Sequence, residues 1–322
     1  MLPHLRSPRL GRHSASGLIR QGDPRGWKQL DARPFAFEHS LADHPLLSIE
    51  RLARLSERAF DRDHYKRYFS QCELKTPRET LRARFRESIE HIGENGKWVA
   101  LHYIDEMDAE YADLFDFLLA DIEEITRCPV RSQMSWGSLS VFMSAPGLAV
   151  PYHFDHETNF LMQIRGKKDL HLYPREFGTL TVSEIEDFYR HNPVAGKYRD
   201  DLEQVATAFL LEPGIGVHHP PLAPHRIRNR DNLSVSLSVY YAMPEMEKRG
   251  HVYQANYCMR KLGLHPRAPG ESALVDGMKI KFMRALSNTH PRTHDELLYS
   301  GVSRLAAPFR WARQLRQRRA GP

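Results

Sequence analysis

Residues 131–241 constrain the fold more than any other part of the chain. Short apolar and β-branched runs alternate there with turn residues. The pattern predicts strands over 133–144, 159–164, 168–173, 206–211, 216–219 and 233–241. Ala145-Pro146-Gly147 stops the first of them, and Arg165-Gly166 turns the chain between the second and the third. Strands at this spacing predict a β-sandwich or jelly roll, so the fold class is a mainly β core with α additions.

Helical patterns lie on both sides of this core. Leu52, Leu55 and Ala59 recur at helical spacing within 46–60, behind Ser48 as N-cap. Residues 80–91 predict a second helix, 98–103 a strand, and 105–126 an amphipathic helix whose apolar stripe runs from Tyr111 to Ile125. Phe35 and Phe37 predict a short strand. Residues 174–198 form an insert with a short helix at 182–189, and helices are expected over 251–262, 278–287, 293–298 and 302–318. The chain thus divides into a basic, disordered tail (1–30), a mostly helical region packing on the core (31–130), the β core (131–245) and a C-terminal helical region with a basic tail (246–322).

Composition narrows the class of protein. Hydrophobic residues make up 41% and charged residues 27% of the 322 residues, the balance of a globular chain. No apolar run is long enough to span a bilayer, and the N-terminus has no apolar segment of the secretory kind. The net charge of +6 is concentrated at the ends, with six arginines and no acid between Arg304 and Arg319. No helix-turn-helix or RNA-binding signature accompanies them, so solvated tails are expected rather than a nucleic-acid surface. Cys72, Cys128 and Cys258 are widely spaced and form no CxxC pair. A reducing, cytoplasmic setting fits them.

The chemistry is concentrated in Pro151-Tyr152-His153-Phe154-Asp155 and Pro224-His225-Arg226. A histidine and a carboxylate one residue apart, with a distant second histidine, can occupy one face of a metal ion and leave the opposite positions open. With 18 histidines in the chain, a His-x-Asp pair also arises by chance, so the neighbourhood must carry the reading. Pro151 and the turn before it put His153 at the start of a strand. The returning ligand has three candidates, His218, His219 and His225. His225 is preferred because it follows a proline-bounded turn that can swing back to the mouth of a barrel. The ligand types alone admit Fe(II) or tetrahedral zinc.

The run from His153 through Asn159, Gln163 and Gly166 to Lys168 and Pro174, with Glu212-Pro213-Gly214 and Pro220 to His225, resembles the JmjC and cupin-like Fe(II)/2-oxoglutarate oxygenases. Within that family it is most similar to the asparaginyl-hydroxylase-like branch. The resemblance covers residues 130–242. It implies a double-stranded β-helix with His153, Asp155 and His225 as the iron ligands. Lys168 is then the partner of the distal carboxylate of 2-oxoglutarate, and Asn159 a contact near its metal-bound end. Lys167 is sent to the opposite face by strand alternation. Three positions depart from the branch: Val150 stands where it has a distal-carboxylate Thr, Ile215 where it has Asp, and Tyr240 where it has Asn. The serines 234, 236 and 238 share a face with Tyr240, so Tyr240 or another hydroxyl on that face is expected to replace the missing Thr.

These expectations describe a dioxygenase that couples decarboxylation of 2-oxoglutarate with O2 to hydroxylation of a protein side chain or a small molecule. The alternative is a non-catalytic cupin-like binding or regulatory protein that keeps the pocket. By position, the C-terminal helices resemble those through which some relatives dimerise, which adds a homodimer to the expectations.

Overall fold

The structure is a computed structural model that describes residues 17–20, 24–69, 76–94, 96–291 and 293–305. Cys72 and most of both basic ends lie outside the described residues. Eleven strands are described: β1 (Ile19–Arg20), β2 (Phe35–His39), β3 (Trp98–His102), β4 (Trp136–Ser144), β5 (Ala149–His153), β6 (Thr158–Arg165), β7 (Lys168–Leu172), β8 (Thr207–Leu211), β9 (Ile215–His219), β10 (His225–Asn229) and β11 (Ser234–Ala242).

They form two antiparallel sheets. The larger has the order β1-β2-β9-β6-β11-β4-β3 and the smaller β5-β10-β7-β8. From β4 to β11 the chain passes between the two sheets at every step but one, the β7–β8 pair within the smaller sheet, in the manner of a double-stranded β-helix, so the jelly-roll expectation holds. The N-terminal region is more than a helical cover, because β1, β2 and β3 extend both edges of the larger sheet. Part of the stretch expected as a disordered tail is described, at residues 17–20 and 24–30. Ile19 and Trp27 are buried in the main core, where the Trp27 ring stacks on Phe160. The surrounding basic composition hid these two apolar anchors.

The larger sheet is covered on both faces, which explains the composition of its central strands. On β11 the odd positions Val235, Leu237 and Val239 join Phe160, Met162 and Ile164 of β6 in a core shared with Tyr111, Leu114, Leu118 and Ile122. Those four residues line one face of the helix Ala109–Thr126. The even positions Ser234, Ser236 and Ser238 are equally buried, but face into the barrel. An alternating Ser/Val strand would ordinarily have a solvated face. Here the serine face lines a polar interior.

Local signals fix the connections. Ser48 caps the helix Ile49–Ala59 by accepting from the Arg51 N–H. The single helix expected over 105–126 is two, Ile104–Met107 and Ala109–Thr126. Asp108 breaks it with extended backbone and caps the second by accepting from Glu110 N–H, and Arg51 pairs with its carboxylate at 2.9 Å. Thr181 and Glu184 form a capping box at the head of the insert helix Val182–Tyr189. Gly166 sits between β6 and β7 at φ +76°, and a Cβ there would lie 2.1 Å from the Leu233 carbonyl oxygen. Only glycine fits this turn.

The C-terminal region folds back on the insert. The helix Pro244–Lys261 and residues 294–305, which are helical, bury Ala255, Leu298, Tyr299 and Val302 against Phe188, Tyr189 and Phe154. On the helix Ala273–Leu286, Leu274, Met278 and Phe282 remain exposed.

Candidate active site

One end of the barrel collects the ends of β5, β9 and β11 and the starts of β6 and β10. His153 ends β5; it does not begin a strand as expected, because the turn at Gly147 leads into β5 four residues earlier. His225 begins β10 and lies directly opposite His153 in register. The register slips between His225 and Ile227, so β5 carries an extra residue beside the site. Asp155 follows β5 in a loop held by a 2.8 Å bond from Leu222 N–H to its carbonyl.

His153, Asp155 and His225 can each offer a ligand atom within 4.8 Å of the others. The two imidazole centroids are 4.1 Å apart, and His225 Nε2 is 3.6 Å from Asp155 Oδ2. The carbonyl of Pro151 lies 2.8 Å from His153 Nδ1, and that of Ala223 lies 3.2 Å from His225 Nδ1. A carbonyl only accepts, so each Nδ1 carries the hydrogen and each Nε2 presents a lone pair. Burial, with His153 and His219 nearby, holds the His225 imidazole well below its ordinary pKa and therefore neutral. Asp155 keeps 42% of its side-chain surface open to the mouth, yet desolvation raises its carboxyl and His153 opposes the rise. Two imidazoles and one carboxylate on one side of a point fit a divalent transition metal with open positions.

Deeper in the barrel is a lone cation. Lys168 begins β7, whose other end, Leu172, pairs with His225. Four residues of strand, about 13 Å, separate the two levels. The Lys168 side chain is 4% exposed and donates to Ser236 Oγ at 2.5 Å across the barrel. Burial lowers its pKa to about 7. Ser236 passes its own hydrogen to Gln163 Oε1 at 2.7 Å. Among the described residues no carboxylate pairs with Lys168. Lys167, by contrast, points outward to Glu212 at 2.8 Å.

The other sequence-selected residues separate. Asn159 faces the chamber and accepts from Ser238 Oγ at 2.7 Å through Oδ1, which leaves its amide hydrogens available to a ligand. Tyr240 lies four residues along β11 from Ser236, and its hydroxyl bonds to Ser140 and Ser138. The hydroxyl that meets Lys168 is that of Ser236. Val150 is 46% exposed and takes no part.

Three groups were not selected from the sequence. His219 is 3% exposed, sits opposite Asn159 in register, and has its ring 4.7 Å from that of His225. Neither of its ring nitrogens has a hydrogen-bond partner. Its position in a strand argued against a ligand role, but strand alternation sends it inward while His218 faces Phe35 and Phe160. Gln163 organises Ser234 and Ser236 from β6. His294 reaches in from the C-terminal helix and pairs with Glu157 at 2.9 Å, two residues after Asp155. Burial pushes the Glu157 carboxyl up, but His294 outweighs it and holds the group near 2. No sequence signal links positions 157 and 294.

The sequence matches the family described as a cupin-like domain over residues 38–247, about two thirds of the chain. The chain belongs to this cupin-like family. None of the curated proteins compared with it matches. Among solved structures, the cupin-like chain is similar to ycfD of Escherichia coli at 19% identity and TM-score 0.44, over 80% of this chain and 65% of that one. It is also similar to the structure described as YcfD, a ribosomal oxygenase, in complex with cobalt and 2-oxoglutarate, at 15% identity and TM-score 0.43, over 86% and 64%. A cupin superfamily protein from Desulfitobacterium hafniense DCB-2 matches at 13% identity and TM-score 0.22, over 34% and 71%. The cupin-like chain spans less than two thirds of the length of the E. coli structures. No described helix is long and apolar enough to cross a membrane.

Proposed function

We propose that this protein is an Fe(II)- and 2-oxoglutarate-dependent oxygenase that hydroxylates a C–H bond of its substrate. One observation carries the reading: a cluster of three potential ligands at the barrel mouth coincides with a buried lysine, deeper in the same barrel, that has no anionic partner among the described residues. An uncompensated buried cation is costly, and a dicarboxylate spanning the chamber relieves it.

In this reading His153, Asp155 and His225 hold the iron through Nε2, a carboxylate oxygen and Nε2. The Pro151 and Ala223 carbonyls fix both rings in the ligating tautomer. Lys168 and the Ser236 hydroxyl receive the distal carboxylate, and Gln163 keeps Ser236 oriented. Asn159 and His219 line the space between the two levels and offer hydrogen bonds to the keto-acid end. When bound, iron with 2-oxoglutarate and O2 supplies oxidative decarboxylation to succinate and CO2, coupled to C–H oxidation. The protein's part is to position the reactants and exclude water.

The test is Fe(II)-dependent succinate formation from 2-oxoglutarate by the purified chain, with iron content measured in parallel for wild type, His153→Ala and Asp155→Ala. Succinate is expected from wild type, and both variants lose iron. An absence of turnover, together with iron retention that ignores both substitutions, overturns the reading and leaves a binding protein with the same pocket.

A further inference from the structure

A second cavity lined by cationic side chains lies near the mouth, outside the chamber that Lys168 closes. A cavity of about 390 Å³ is lined by Arg175, Leu180, Ile185, Leu222, Arg249 and Tyr253. The insert supplies Arg175, Leu180 and Ile185, and the helix Pro244–Lys261 supplies Arg249 and Tyr253. Leu222 ties the cavity to the metal cluster, since its N–H holds the Asp155 carbonyl. The volume is that of a small-molecule site.

The two guanidiniums converge. Both lower the carboxyl of Asp31, and both act on the hydroxyls of Tyr189 and Tyr253. Neither forms an ion pair with a carboxylate among the described residues. Arg175 donates to the backbone carbonyl of Asp31 at 3.3 Å. The Asp31 carboxylate is engaged elsewhere, accepting from Thr158 Oγ1 at 2.8 Å and lying 3.5 Å from His218 Nε2. Glu186, which also acts on Tyr253, is paired with Arg260 at 3.0 Å, so two half-buried guanidiniums beside carboxylates engaged elsewhere leave a net positive pocket with an apolar lining.

We infer that Arg175 and Arg249 bind the acidic group of the substrate, which is a small amphipathic organic acid whose apolar part rests on Leu180, Ile185, Leu222 and Tyr253. As a statement about the substrate this rests on the oxygenase reading; as a statement about binding it does not need the metal. A guanidinium bond to a carboxylate or phosphate is among the stronger polar contacts available, and its loss is read as about a tenfold or greater weakening.

The experiment compares 3-phenylpropionate with its uncharged amide, 3-phenylpropionamide, by calorimetry on the metal-free full-length chain. Wild type is expected to bind the acid at least about tenfold more tightly than the amide. Arg249→Gln and Arg175→Gln each lose that preference, Arg249→Lys keeps part of it, and Lys168→Met, which alters the other cationic site, keeps all of it. Equal binding of acid and amide, or a preference that follows Lys168 instead of the arginines, overturns the inference. Thermal melts identify a variant that fails to fold, in which case the remaining arginine variants decide. Probe binding without succinate formation retains the pocket and removes the oxygenase; succinate formation without an acid preference does the reverse.

Discussion

Replacing Lys168 with methionine should make the ligand-free protein more stable while removing its affinity for 2-oxoglutarate. The side chain is buried, and desolvation brings its amino group from an ordinary 10.5 down to about 7. Each pH unit of such a displacement is worth about 1.4 kcal/mol. At neutral pH, where the buried amine is half protonated, this amounts to about 4 kcal/mol of stability forgone. Methionine fills nearly the same volume without a charge, and Ser236 keeps its bond to Gln163. The melting temperature of the metal-free variant should rise by about 5–10 °C, at roughly 2 °C per kcal/mol for a chain of this size. The sign is specific. Between pH 7 and 10.5 the unfolded lysine holds a proton that the folded one has released, so wild-type stability rises with pH and the advantage of the variant shrinks. Adding 2-oxoglutarate to the Mn(II)-loaded protein should then stabilise wild type further but not the variant. The assay is a denaturant or thermal melt with and without ligand, at pH 7 and pH 9. A variant that is no more stable than wild type, or that binds 2-oxoglutarate as well, would falsify the assignment of Lys168 as an unpaired cation awaiting a carboxylate.

Three further outcomes follow from the same geometry. In the Mn(II)-loaded protein, the dissociation constant for 2-oxoglutarate should be flat below about pH 7 and rise up to about tenfold per pH unit above it, since the carboxylate prefers protonated Lys168; calorimetry from pH 6 to 9 reads this, and a flat profile throughout refutes it. Gly166→Ala places a Cβ against the Leu233 carbonyl at φ +76° and should cost at least about 1–2 kcal/mol, measured by denaturant midpoint. His294→Ala leaves the largely buried Glu157 carboxyl, 20% exposed, without its partner and should cost about 2–3 kcal/mol, less than for a fully buried pair; a loss below about 1 kcal/mol would show that the pair contributes little.

What the sequence made legible depended on the range of the signal. Local signals were read nearly to the residue, as in the cap at Ser48, the insert helix at 182–189 and the strand 234–242. Each rests on hydrogen bonds or periodicity within a few positions. The cluster of His153, Asp155 and His225 was legible because its short His-x-Asp spacing and its proline-bounded return are both written locally. β5 and β10 were not foreseen as strands, since prolines and charged residues interrupt their apolar pattern and their pairing partners lie some seventy residues apart. Ile19 and Trp27 were lost for the opposite reason: two buried residues do not alter the composition of a basic segment. His219 was weighed as a strand residue and set aside, and that is where it sits. What alternation added, once the strand's register was known, was the direction of its ring.

The C-terminal region belongs to the site and is more than an appendage to the barrel. The residue after His153 is Phe154, which packs on Phe188 of the insert at 4.7 Å between ring centroids. Phe188 and Tyr189 are in turn covered by Ala255, Leu298 and Val302. Two residues past Asp155, Glu157 is held by His294, whose ring also stacks on Trp136 at the start of β4. The loop that carries Asp155 is therefore held from two sides, by the insert at Phe188 and by the C-terminal helix at His294. A jelly roll alone supplies strand ends to point ligands inward, but no rigid roof over the loop between β5 and β6. Under the proposed function, the ligating side chains must be fixed before the co-substrate arrives. By this argument, loosening the helix at 294–305 should reach the metal cluster through Glu157 and Phe154 before it disturbs Lys168, which is anchored to Ser236 on the far level of the barrel.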